Sequence, residues 1–201
     1  MGRREDNKAD KRRRLIDAAV VVFGQVGVDA ATIDAIVLHA GVARGTFYLY
    51  FADKLAVFDA ILDQWDEPVV GLLTDVSTSL LQATTFEEVR VIWEGMAVGL
   101  AVVGLAESAA LTLAFRELRG SGPAAALVAK REARIVDLVV AFTTDVSARG
   151  LVRIEEPRIA ALIVIGATER LVWEGLNGRI TSPATAAATA VALFATAFAI
   201  R

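Results

Sequence analysis

The chain has 201 residues, 55% of them hydrophobic, with no Cys and a single His, His39. Disulfides, thiolate or His-cluster metal sites, cysteine nucleophiles and His-based triads are thereby excluded, and no cofactor or metal is expected. The net charge of -3 argues against a nucleic-acid partner, but residues 1–14 hold seven basic and three acidic side chains, so a basic end precedes an acidic remainder. A solvated arm with no partner is the bland alternative.

In chain order, Leu15, Ala18, Ala19, Val22 and Phe23 recur at spacings of three and four, which predicts an amphipathic helix over 14–26 closed by Gly27. Thr32 is placed to cap a short helix with Ile33, Ile36, Val37 and Ala40 inward and Gly41 at its end. Ala43 or Arg44 starts a third helix through Leu49. Asp53 then caps a fourth, which Pro68 should kink or interrupt before it resumes to about Ala83. A capping box follows, Thr84 with Glu87 or Thr85 with Glu88. Helices to about Leu100 and from about Leu105 to Arg119 precede the GSGP break at 120–123. Three more are expected, over about 124–149, 157–177 and 183–200. The fold class is all-α, with about nine helices and no strand alternation.

The basic start lacks the apolar run of a signal peptide. Residues 95–106 are uncharged but too short to span a bilayer. Residues 180–200 are uncharged over a sufficient length, but Ser182 and Pro183 read as a helix start and the rest is Ala- and Thr-rich. A buried helix in a cytoplasmic protein without a membrane partner is expected.

The stretch GVARGTFYLYFADK at 41–54 carries the most information. Two short helices joined at a glycine and preceded by a longer support helix are the ingredients of a helix-turn-helix. Gly41 supplies a left-handed turn, Val42 plugs the angle, and Phe47 and Phe51, four apart, face the support helix. Tyr48, one position off that face, points outward, where its hydroxyl can meet a phosphate. Arg44 and Thr46 open the third helix and are candidates to read base edges, with Gly45 allowing close approach. Lys54 adds an ammonium beside free backbone donors. Arg13 and Arg14, with Arg12, are placed to touch DNA backbone. Tyr50 stands equally as core or phosphate ligand, His39 reads as a turn-facing residue rather than a base reader, and Asp29 and Asp34 read as structural or solvated.

Residues 14–57 resemble the DNA-binding segment of TetR-family transcriptional regulators. The resemblance rests on Phe23, Gly27, Thr32, Ile36, Ala40, Gly41, Val42, Gly45, Thr46, Phe47, Tyr48, Tyr50, Phe51 and Lys54. It implies that Thr32, Tyr48 and Lys54 hold phosphates of double-stranded DNA and that Arg44 and its neighbours read bases. Ala43 stands at a phosphate-side position where the family usually has Ser, which removes a side-chain cap, and Val37 replaces a usual Ala. It further implies residues 1–54 as the DNA-binding domain and 55–201 as a domain that binds a small effector and forms a homodimer.

Within that larger part, Trp65, Trp93, Met96, Leu111, Phe115, Phe142 and Trp173 are candidate pocket walls, with Glu107 and Glu169 as polar groups in apolar surroundings. Such walls suit an apolar or amphipathic effector. Ala184, Ala188, Ala192, Leu193, Ala195 and Phe198 are dimer-interface candidates through close helix approach. The expected function is a sequence-specific regulator, as a repressor released from a palindromic operator. The rivals are a helical small-molecule or lipid-binding protein without DNA function, and an enzyme using Glu107 or Glu169 on a hydrophobic substrate. No paired carboxylates, nucleotide loop or nucleophile constellation supports the enzyme.

Overall fold

The structure, a computed structural model, describes residues 3–180 and 182–198, with side chains described except at 3–6, 105, 183, 184, 187, 188, 195, 197 and 198. Among the described residues the fold is all helical: α1 (Arg3–Val26), α2 (Ile33–Ala40), α3 (Arg44–Phe47), α4 (Lys54–Gln82), α5 (Phe86–Ala106), α6 (Ser108–Leu118), α7 (Pro123–Ala148), α8 (Pro157–Leu176) and α9 (Pro183–Phe198). No single helix among them is long and apolar enough to cross a membrane.

Three boundaries differ from expectation. The first helix begins at Arg3 rather than near residue 14, because the charged residues ahead of the apolar stripe are themselves good helix formers and Asp10 pairs with Arg13 one turn on, at 2.8 Å. The third helix ends at Phe47, with Tyr48–Tyr50 in a turn. The fourth runs through Pro68 without interruption. Gln64, whose carbonyl loses its donor to the proline ring, lies on the same exposed side as Pro68, so water can satisfy it.

The residues form two compact units. The first holds the chain up to Trp65 together with Ala109–Lys130. Its core gathers Leu15, Ala19, Phe23, Ile36, Phe47 and Phe58, all fully buried. Phe23 meets Phe58 edge to face at 6.0 Å, and Phe47 meets Phe51 at 5.9 Å. α6 closes the end of α1: Arg116 donates to the carbonyl of Gly24 at 2.8 Å, and Glu117 accepts from Val28 N–H at 3.2 Å. These two side chains satisfy backbone groups that the helix end leaves open.

The second unit holds Asp66–Ser108 and the chain from Arg131 onward. Thr85 and Glu88 form the capping box at the start of α5, so the second of the two sequence alternatives is the one adopted. Arg149 donates to the carbonyls of Leu80, at 2.7 Å, and Ala83, closing the end of α4. α5 packs against α8 and α9, around a core that includes Leu73, Val89, Trp93, Phe142 and Val191.

Candidate nucleic-acid interface

Local chemistry sets the turn between α2 and α3. Thr32 caps α2 by accepting from Ala35 N–H at 3.2 Å. At the other end Gly41 takes φ 63°, ψ 41°, with its N–H on Leu38 O and that of Val42 on Val37 O, the paired bonds of a left-handed helix stop. Ala43 gives no side-chain cap to α3; its carbonyl instead accepts from Thr46 N–H at 2.8 Å. Phe47 is wholly buried and Phe51 nearly so, which fixes the rotation of α3 and leaves Tyr48 half exposed. Asp53 starts α4 by accepting from Ala56 N–H at 2.8 Å.

The cations expected to meet DNA already have protein partners. Arg14 donates to the carbonyls of Ala40, at 2.5 Å, and Gly41, at 3.4 Å, across the end of α2. Arg12 lies over the Phe51 ring at 5.4 Å, while Arg13 pairs with Asp10. Lys54 donates to the carbonyls of Asp29 and Ala31 in the loop that leads to Thr32. Arg44 binds both oxygens of Asp34 through Nη1, at 2.5 and 2.7 Å. Its guanidinium is held more firmly protonated than usual, first by a hydrogen bond with Tyr48 and then by Asp34. Asp34, read from sequence as structural or solvated, is therefore joined to the proposed base reader. The signal was available: Asp34 and Arg44 both lie in the first turns of helices that a tight turn sets side by side.

The pocket candidates separate. In the second unit, two adjoining cavities of about 80 and 70 Å³ share Ala97, Leu100, Thr168 and Ala190 as common wall. Trp93, Met96 and Phe142 line one of them, together with Thr143. Glu107 closes the end of α5 through its backbone N–H and, like Glu169 and Trp173, lies outside both linings. Trp65, Leu111 and Phe115 belong to the first unit. Thr143 and Thr168, which sequence reading missed, add two hydroxyls to walls whose other polar side-chain group, among the described residues, is the Trp93 indole N–H. On α9, Ala192 and Leu193 are exposed, whereas the side chains of Ala184, Ala188, Ala195 and Phe198 lie outside the described residues. No group of three or more His, Asp or Glu suited to a metal occurs among the described residues.

The sequence pattern of "Bacterial regulatory proteins, tetR family" matches residues 15–61. The HTH-type transcriptional regulator SrpR of Pseudomonas putida is 43% identical over 70 residues, covering 34% of this chain and 33% of that protein. Residues 15–61 thus carry the DNA-binding pattern of the TetR family. The HTH-type transcriptional repressor BepR of Brucella suis biovar 1 is 39% identical over 62 residues, 31% of this chain and 30% of that protein. The alignments thus span about a third of these curated relatives. A solved structure of the transcriptional regulator FadR from Bacillus subtilis, in complex with stearoyl-CoA, has a TM-score of 0.66 at 19% identity, covering 92% of this chain and 97% of that one. At that identity the likeness is one of fold. The TetR match takes in the second half of α1, all of α2 and α3 and the first two turns of α4, so Asp34, Arg44, Tyr48 and Lys54 lie within it and both cavities lie beyond it.

Proposed function

We propose that this TetR-family chain is a cytoplasmic, sequence-specific DNA-binding transcriptional repressor that acts as a homodimer on a palindromic operator. The observation that carries the reading is exposed α3, where Arg44 opens a helix whose rotation is fixed by buried Phe47 and half-exposed Tyr48 follows at its end. Arg44 and Thr46 read bases. Arg13, Arg14, Thr32, Tyr48, Tyr50 and Lys54 serve the phosphates, with the backbone at Ala43 in place of a side chain. In this reading residues 1–54 bind DNA and 55–201 bind effector and pair the subunits.

The effector is an apolar or amphipathic small molecule taken up by the paired cavities. Among the described lining residues the polar side chains are Thr143, Thr168 and the indole of Trp93, with no Lys or Arg, and the remaining wall is apolar. By preferring a dimer arrangement with the wrong spacing between reading heads, such a ligand lowers operator affinity by its differential affinity for the two arrangements. Selection of duplexes from a random pool, with the mass of the complex determined, tests the reading. A palindrome bound by a two-fold complex is expected. A folded protein that enriches nothing at low salt would turn the reading toward a small-molecule-binding protein without DNA function.

A further inference from the structure

Asp34 has no place in the set of DNA contacts given above, yet it is the partner of the residue most central to that set. Its side chain and that of Arg44 are both more than half exposed, so burial does not force them together. Both carboxylate oxygens nevertheless converge on a single nitrogen, Nη1, at 2.5 and 2.7 Å. A guanidinium carries five N–H donors in a rigid fork. With Nη1 committed to Asp34, the edge formed by Nε and Nη2 is the one left to meet two acceptors side by side, such as O6 and N7 of guanine. The side chain is thus aimed before it meets DNA, and less rotamer freedom is lost on contact.

The carboxylate also acts directly. An acceptor-only group beside a reading Arg repels phosphate oxygens and the O6, N7 and O4 acceptors of the major groove, and it accepts from the exocyclic amino groups of cytosine or adenine. It therefore weakens every duplex somewhat and the wrong duplexes more.

We propose that Asp34 is a specificity-determining residue, which positions Arg44 for one guanine and penalises other base pairs at that step. The proposal rests on the DNA-reading function above. Its test uses the full-length protein, the duplex enriched by the wild type, and a panel of single-base-pair variants of that duplex, with Kd measured by fluorescence anisotropy at two salt concentrations. Asp34→Asn is expected to bind random duplex about 2–5-fold more tightly, by removal of one repulsive charge per subunit. It should lose on the order of 10-fold of the discrimination at the position read by Arg44. Arg44→Ala should lose discrimination at the same position, and adding Asp34→Asn to Arg44→Ala should remove little more, since the two act as one unit. Discrimination by Asp34→Asn equal to the wild type, or an equal effect of Asp34→Asn with and without Arg44, overturns the proposal and leaves the DNA function standing. A wild type that enriches no duplex overturns both.

Discussion

Asp66 on α4 and Arg131 on α7 form a deeply buried ion pair in the second unit, with side chains 5% and 13% exposed and Nη1 2.9 Å from Oδ2. Arg134 approaches the same oxygen at 3.8 Å but is 62% exposed. Truncating Arg131 to Ala would leave the Asp66 carboxylate in a site that water barely reaches. Breaking a buried pair in this way costs about 3–5 kcal/mol. Arg134 can swing toward the carboxylate and screen part of that charge, so the low end, about 3 kcal/mol, is expected. For a chain of this size each kcal/mol corresponds to about 2–4 °C, hence a fall in Tm of about 6–12 °C. Arg134→Ala, which removes only an exposed partner, should cost less than about 1 kcal/mol. Replacing both Asp66 by Leu and Arg131 by Met removes the charge together with its partner and should recover most of the loss. Thermal and urea unfolding followed by far-UV circular dichroism measures all three. A loss below about 1 kcal/mol for Arg131→Ala, or a double variant as unstable as the single one, would refute the assignment of Arg131 as the counter-charge of a desolvated carboxylate.

Gly41→Ala should destabilise the chain by about 1–2 kcal/mol in urea unfolding, because a Cβ is disfavoured at φ 63°. The new Cβ would also lie 3.1 Å from the Arg14 guanidinium that closes α2, so DNA affinity should fall with stability. The Glu88 carboxyl is held below its usual range, first by Thr84 N–H, then by the Thr84 hydroxyl and Thr85 N–H. A depressed folded-state value means that its contribution is present above the ordinary carboxylate range and lost as pH falls through the lowered value. Glu88→Gln should therefore narrow the gap in stability from wild type as pH is taken from neutral into the acid range, and a gap that stays constant with pH would show the cap to be insensitive to the charge. Ala190→Leu, in the wall common to both cavities, should abolish stabilisation of the protein by the uncharged probe indole in a thermal-shift titration while leaving operator affinity unchanged. Retained stabilisation by indole would place the binding site elsewhere.

The readable parts of this sequence are those whose physics is local. Thr32, Gly41, Asp53 and Pro123 act on neighbours within a few residues, so their caps and stops follow from spacing alone. The burial of Phe47 and Phe51 follows from their separation of four. Pro68 does not interrupt α4, because the cost of an internal proline depends on whether the orphaned carbonyl can reach water, which is a property of the packed helix. The partners of Arg14 and Lys54 are 26 and 23 residues away in sequence, and no periodicity announces such bonds. The cavity walls were obscured for a different reason. Glu107 and Glu169 stand out as polar groups in apolar runs, but Thr168 keeps its hydroxyl on the carbonyl of Val164 one turn back, so it sits in an apolar helix face at little cost and gives no sequence signal.

The kind of partner each cation has determines what it can still do for DNA. Arg13 and Arg44 are held by carboxylates, so each pair is close to neutral as seen from a phosphate. Arg14 and Lys54 are held by backbone carbonyls, which orient the side chain and leave its full charge in place. They also retain N–H donors beyond those the carbonyls take. The second pair is therefore suited to sequence-independent attraction of phosphate, which scales with the charge delivered and is screened by salt. A neutralised Arg44 contributes little to that attraction and acts through the direction of its remaining donors. On the proposed DNA-reading function, affinity and selectivity fall to different residues of one small surface: Arg14 and Lys54 to attract the duplex, and Asp34 with Arg44 to select the base pair.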